Sequence, residues 1–191
     1  MADDDPQPRR GVLQKIALIP SWLRSTMAAK VWLRDCDKVG PKTRTFWRPN
    51  IENRGRIEIG ARVRLNSNWA PVELVTGPRG HIEIGDGVFV NYGSMISAQQ
   101  SVRIGAGVMI GNYCIVADTE IPGIGAPPDG PGMPASAVEI GEGAWLAARV
   151  TVLPGTRIGA GAVISAGSVV SGDIPAGAVA GGIPARVIRQ R

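Results

Sequence analysis

Cysteine is scarce in this chain, and its scarcity excludes a fold built on disulfides. Cys36 and Cys114 are the only two in 191 residues, and they read as free thiols in a reducing compartment. No run of about 18 apolar residues is present, so no membrane-crossing helix is expected. The chain opens on Asp3, Asp4 and Asp5, the wrong charge for a signal peptide, and a cytoplasmic location is expected. Aromatics make up only 5% of the residues, and histidine occurs once, as His81. Glycine and proline, by contrast, are abundant at 26 and 15. Such a chain cannot supply the long helices of a bundle or of a nucleotide-binding α/β sheet. It fits a β architecture with many tight corners.

The net charge of +5 is local. Residues 1–8 hold three acids and no base, residues 9–50 hold ten Lys or Arg against two Asp, and residues 51–191 hold eleven of each. A nucleic-acid-binding surface needs basic residues spread with aromatics over a folded face. Here the excess sits in one N-terminal segment, and nucleic acid is not an expected partner.

What the chain does have is a repeat. The segments beginning at Ile59, Ile84, Ile104, Ile140 and Ile158 align, and within them an aliphatic residue returns at every sixth position. Ile84, Val90 and Ile96 form one set; Ile104, Ile110 and Val116 a second; Ile140, Leu146, Val152, Ile158, Ile164 and Val170 the longest. A period of six fits neither a helix nor an alternating strand. It is the signature of a parallel β-helix, in which three short flat faces make a triangular coil of 18 residues. The aliphatic residue points inward, and the small residue after it lets the corner turn. Longer spacings predict outward excursions at Gln99-Gln100 and near Thr76–Gly80. Between Asp118 and Ala137 the period fails, and five Pro and four Gly in 20 residues predict a loop. Its position after a strictly periodic coil favours an active-site excursion over a tolerated insertion.

The domain division expected is a 1–50 segment, an acidic tail plus a basic helical stretch, followed by a β-helix over 51–191. Residues 9–34 hold six basic residues and no acid. Pro20 and Ser21 mark a helix start with Ser21 as N-cap, and Trp22, Leu23, Met27, Val31 and Trp32 would form its apolar stripe. That stripe would either cap the open end of the β-helix or lie on an anionic membrane surface as a peripheral contact.

From about residue 57 onward the chain resembles the hexapeptide-repeat acyltransferases, most of all the sugar O-acetyltransferases of the maltose and galactoside type. The most specific stretch is EIGEGAWLAARVTVLPGTRIGAGAVISAGSVVSGDIPAGAVAGGIPARVIR, with its Trp in the coil, its Leu-Pro-Gly corner, its Asp-Ile-Pro and its closing Pro-Ala-Arg-Val-Ile-Arg. The resemblance implies an all-β, left-handed parallel β-helix that assembles as a homotrimer and takes acetyl-CoA as acyl donor for a saccharide-like hydroxyl, with envelope or exopolysaccharide synthesis as its setting. It places Trp145 and Ala148 beside the pantetheine arm, Ala166, Ser171 and Gly172 along the cofactor, and Arg186 and Arg189 near its phosphates. Gly172 stands where many relatives carry Lys. Asn91 matches an asparagine at the acceptor.

The family's catalytic histidine is missing. Transfer to a hydroxyl needs a base, which histidine supplies without tuning, but the matching stretch reads Asp118-Thr119-Glu120-Ile121-Pro122. Asp118 and Glu120 are the candidate bases, a role open to a carboxylate buried beside an apolar loop; alternatively Asp118 caps the loop by accepting from backbone amides. The γ-class carbonic anhydrases share this β-helix and need three histidines, so one per chain excludes them, and no metal is expected. The readings left open are an O-acyltransferase and an inactive relative retained as a binding or assembly module. An ice-binding array would need regular Thr ladders on one face, which the mixed outward positions do not provide.

Overall fold

The computed structural model describes residues 21–119 and 134–190. Twenty-one short strands within them pair in parallel, apart from the last pair, and climb in successive coils. The first coil contains β1 (Lys38–Val39), β2 (Arg44–Phe46) and β3 (Asn50–Asn53). The second contains β4 (Arg56–Ile59), β5 (Arg64–Asn66) and β6 (Glu73–Thr76). The third has β7 (His81–Ile84), β8 (Phe89–Val90) and β9 (Met95–Ala98), and the fourth β10 (Ser101–Ile104), β11 (Met109–Ile110) and β12 (Ile115–Ala117). Beyond the loop come β13 (Val138–Ile140), β14 (Trp145–Leu146) and β15 (Thr151–Val152), then β16 (Arg157–Ile158), β17 (Val163–Ile164) and β18 (Val169–Val170). A last partial coil has β19 (Asp173–Ile174) and β20 (Ala178–Gly182), against which β21 (Ala185–Gln190) folds back antiparallel.

Every third strand joins one of three sheets, and the sheets are the three sides of a triangular prism. Sheet A begins with β1, sheet B with β2 and sheet C with β3. The six-residue period explains the register. Ile84 pairs with Ile104, Ile104 with Ile140 and Ile140 with Ile158, so one inward position stacks on its counterpart in the next coil. All of these side chains are buried, as are Val90, Ile96, Ile110, Val116, Leu146, Val152, Ile164 and Val170. The glycine after Ile84, Ile104, Ile140 and Ile158 has a steric cause. A Cβ on Gly105 would stand 2.6 Å from the backbone nitrogen of Glu142 in the coil above.

The stack starts at Lys38, earlier than the boundary at 51 that the repeat suggests. Val39, Thr45 and Ile51 are in register with Ile59, Leu65 and Leu74. The polar Thr45 at an inward site is what hides this coil from an aliphatic period. The excursions also differ in part. Gln99 and Gln100 do bend outward between β9 and β10, but the extra residues of the second coil are divided between two corners. One is the turn before β7; the other is the corner from Ser67 to Val72, where Leu74 follows Leu65 by nine positions against the six from Val90 to Ile96.

Helix α1 (Ser21–Trp32) packs against the first coil at β2. Among its described side chains Ser25 and Ala29 are buried, continued just beyond the helix by Leu33. Met27 and Val31 are exposed, so the expected apolar stripe does not form one packed face. Small side chains on the contact side let the helix approach the sheet closely. Residues 9–20 lie outside the described residues, and no described helix is long and apolar enough to cross a membrane.

Candidate functional site

The corners that join sheets B and C form one edge of the prism, and several of the expected site residues lie along it. Asn91 follows β8 in the third coil. Ala148 follows β14 in the fifth, and its carbonyl accepts the N–H of Gly167 at 2.9 Å. Ala166 occupies the next corner. Trp145, on the outer face of sheet B beside this edge, is 46% exposed and stands between Met109 and Val163. Arg186 and Arg189 are exposed on β21, opposite Gly181 and Val179 at the far end of sheet B. Ser171 and Gly172 do not join this group. They form the corner between sheets C and A, where Gly172 holds φ +76° and its carbonyl accepts the N–H of Arg157.

Asn91 is held in one orientation. Its Oδ1 accepts Nδ2 of Asn66 at 2.8 Å and the backbone N–H of Tyr92 at 3.0 Å. Asn66 in turn accepts the N–H of Asn68. With its oxygen used twice, Asn91 presents its amide nitrogen outward, where it has no hydrogen-bond partner among the described residues.

Asp118 lies on the other edge, between sheets C and A, and is fully buried. One carboxylate oxygen accepts the N–H of Gln99 at 2.8 Å; the other accepts those of Gln100 and Ser101 at 2.7 Å each. The carboxylate therefore fastens the outward bend of the third coil to the neck of the loop, the capping role rather than that of a base facing substrate. The neck is closed by an antiparallel bridge between Thr119 and Ala135, and Ser136 donates to the carbonyl of Asp118 at 2.8 Å. Glu120, with Ile121 and Pro122, lies outside the described residues.

His81 is on the outer face of sheet A. Its Nε2 stands 3.5 Å from Glu58 without hydrogen-bond alignment. Glu58 is bonded to Arg56 at 2.6 Å, and that guanidinium holds its carboxyl below the usual range. A trough of about 710 Å³ crosses the same sheet. It contains none of the expected site residues, and its walls carry the exposed pairs Arg103–Glu83 and Arg157–Glu139. Cys114 is buried, burial pushes its thiol up, and Sγ lies 3.1 Å from the carbonyl of Ala147. Neither thiol is placed as a nucleophile. Among the described residues no three His, Cys, Asp or Glu side chains cluster in a way that would hold a metal ion.

Sequence reasoning passed over the aromatic residues of the B–C edge. Trp69, Tyr92 and Tyr113 lie there in three successive coils, and their rings touch edge to face. The signal available was the pair Asn91-Tyr92 and Asn112-Tyr113, which repeats across neighbouring coils.

Known proteins resemble this one over most of its length. The family model of the bacterial transferase hexapeptide (six repeats) matches residues 137–172. The WbbJ protein of Escherichia coli K12, named as an O-acetyl transferase of lipopolysaccharide biosynthesis, is 36% identical over 151 residues, 73% of this chain and 74% of that protein. Galactoside O-acetyltransferase of the same organism is 34% identical over 133 residues, 70% of this chain and 65% of the enzyme. A structure of galactoside acetyltransferase in complex with coenzyme A superposes with a TM-score of 0.54 at 32% identity, over 67% of this chain and 64% of that one. The hexapeptide-repeat acetyltransferase VCA0836 of Vibrio cholerae, complexed with acetyl coenzyme A, shares the fold, with a TM-score of 0.57 at 21% identity over 86% and 76% of the two chains.

Proposed function

We propose, for a chain that belongs to the hexapeptide-repeat acetyltransferase family, transfer of an acetyl group from acetyl-CoA to a hydroxyl of a saccharide-like acceptor, carried out by a homotrimer. The observation that carries this reading is the division of the residues expected at the site between two edges of one prism. Asn91, Trp145, Ala148 and Ala166 belong to the B–C edge, and the loop neck at Asp118, with Ser171 and Gly172, to the C–A edge. A complete site then needs the B–C edge of one copy beside the C–A edge of the next.

The outward columns of the sheets support such an assembly. On sheet A they read Lys38, Glu58, Glu83, Arg103, Glu139 and Arg157, charged throughout. On sheet B the column opens with Arg44 and Arg64 and then reads Phe89, Met109, Trp145, Val163 and Val179; on sheet C it opens with Asn50 and Glu73 and then reads Met95, Ile115, Thr151 and Val169. From the third coil onward these two apolar faces mark surfaces for covering, and a three-fold axis covers both with copies of one chain.

In this reading Trp145 flanks the pantetheine arm, and Arg186 and Arg189 engage phosphate oxygens. The acceptor oxygen attacks the thioester carbonyl, whose developing charge is met by backbone N–H groups of the coil corners. Its proton goes to a base, for which we assign Glu120, and coenzyme A leaves as the thiol. Asp118 acts by positioning the neck that carries Glu120. The test is a calorimetric titration with acetyl-CoA. Binding at about one site per chain, weakened at least about tenfold by Arg186→Ala, keeps the reading; no binding at millimolar acetyl-CoA ends it.

A second reading, an inactive relative kept as a binding or assembly module, has one observation in its favour. The single histidine is on sheet A against Glu58, and Asp118 is committed to three backbone amides. If acetyl-CoA binds but a hydroxyl acceptor is never acetylated, or if Glu120→Gln leaves transfer unchanged, the assignment of the base is wrong.

A further inference from the structure

We infer that the aromatic edge made by Trp69, Tyr92 and Tyr113, with Asn66 and Asn91 beside it, is the acceptor subsite, a platform that takes the apolar face of a pyranose ring. The inference rests on the acetyltransferase reading and names residues that fix its specificity.

The first observation is concentration. The chain has nine Phe, Trp and Tyr residues, and both tyrosines and one tryptophan share this single edge. Trp69 and Tyr92 have centroids 5.0 Å apart, and Tyr92 and Tyr113 5.5 Å, both edge to face. The rings support one another but are not core: Trp69 is 80% exposed and Tyr113 46%. Large aromatic surface held out to water in a fixed arrangement is typical of a binding site.

The second is that the backbone is shaped to present these rings. Trp69 is on the lengthened corner of the second coil, which is closed by Val72 N–H donating to Ser67 Oγ at 3.1 Å and tied to the third coil by Gly93 N–H donating to the carbonyl of Ala70 at 3.2 Å. Tyr113 holds φ +56°, a left-handed conformation adopted at the corresponding corners by Gly93, Arg149 and Gly167. A non-glycine residue there costs about 1 kcal/mol. The Tyr113 ring also needs Gly93, since a Cβ at that position would stand 2.4 Å from Cδ1 of the ring.

The third is the polar group beside the rings. Asn66 and the Tyr92 N–H fix the Asn91 oxygen, which leaves its Nδ2 free to donate to a hydroxyl. Apolar faces with a few oriented amides are what a site for a neutral polyol requires. The apolar C–H face of a hexose rests on the rings while its hydroxyls meet Asn91.

The test is saturation-transfer NMR with methyl glycosides of galactose, glucose and rhamnose on the full chain, run beside an acetyl-CoA titration and a light-scattering mass. Wild type is expected to saturate the ring protons of at least one glycoside. Trp69→Ala and Tyr113→Gly are each expected to weaken that binding about tenfold or more, with acetyl-CoA affinity and assembly mass unchanged. Tyr113→Gly suits the backbone at that corner, so its loss of binding is not a folding defect. Equal glycoside binding in the variants overturns the assignment, as does wild type that binds acetyl-CoA but no glycoside. A fall in mass in the variants also overturns it and makes the edge an assembly contact. Failure of acetyl-CoA to bind wild type refutes the transferase reading, while the glycoside comparison still decides whether the platform binds sugar.

Discussion

Asp118 and Cys36 each turn a local environment into a measurable property. Asp118 is buried with three N–H donors around its two oxygens. Asparagine would keep the size but put an amide N–H₂ against a backbone donor, and a buried donor without an acceptor costs about 1–3 kcal/mol. Asp118→Asn is therefore expected to lower the melting temperature, read by calorimetry, whatever its effect on acetyl transfer; an unchanged melting temperature removes the anchoring role. Cys36 is half-buried between the helix and the first coil, and burial first, with Asp35 and Asp37 second, raises its thiol from 9.0 to about 12. The folded chain thus holds this proton more tightly than the unfolded chain. The contribution is fully present below pH 9 and is lost as pH rises toward 12. The melting-temperature gap between wild type and Cys36→Ala should shrink from pH 8 to pH 11, and a constant gap refutes the linkage.

At the scale of elements, α1 shows how one helix face can be chosen against its apparent stripe. Leu33, just past the helix, is 2% exposed, and Val31 is 61% exposed. Leu33→Ala is expected to cost about 2–5 kcal/mol and Val31→Ala no more than about 0.5, measured by urea unfolding. Similar losses in both would mean the helix turns its other face to the coil. The inward columns are legible in the sequence because a buried aliphatic every sixth residue has no other use, and spacing alone assigns the inward positions from Ile84 through Val170. Thr45 obscured the first coil because a buried polar residue breaks that column. The corner of Trp69 was illegible for another reason: spacing counts extra residues in a coil without saying at which corner they leave. The same limit applies to the site. Asn91 and Trp145 came from motif positions, while the ring contacts of Trp69, Tyr92 and Tyr113 join residues in different coils that no local motif links.

At the scale of the molecule, the basic excess of the described residues ahead of Asn50 lies at one end of the coil stack. Arg24, Lys30 and Arg34 are exposed along and just past α1, with Met27 and Val31 exposed between them, and Lys38 and Lys42 continue the basic surface onto the first coil. The only acids among the described residues ahead of Asn50 are Asp35 and Asp37. Asp37 is held below its usual range by the N–H of Ile57 and then by Asn53, so it stays ionised as a fastening of the first coil. A basic surface interspersed with apolar side chains is the pattern that meets anionic lipid, each Lys or Arg adding about 1 kcal/mol at the membrane surface. The prediction is that the full chain sediments with vesicles of three parts phosphatidylcholine to one of phosphatidylglycerol, and far less with phosphatidylcholine alone. Lys30→Glu with Arg34→Glu should reduce that binding at least about tenfold, because two attractions become repulsions. Both side chains are exposed, so the coil stack and its acetyl-CoA affinity should not change. Binding that is the same for the double variant, or unaffected by half-molar salt, would show that this end meets something other than a charged bilayer, since exposed charges are screened within about 10 Å at a tenth of a molar and over a shorter range above it.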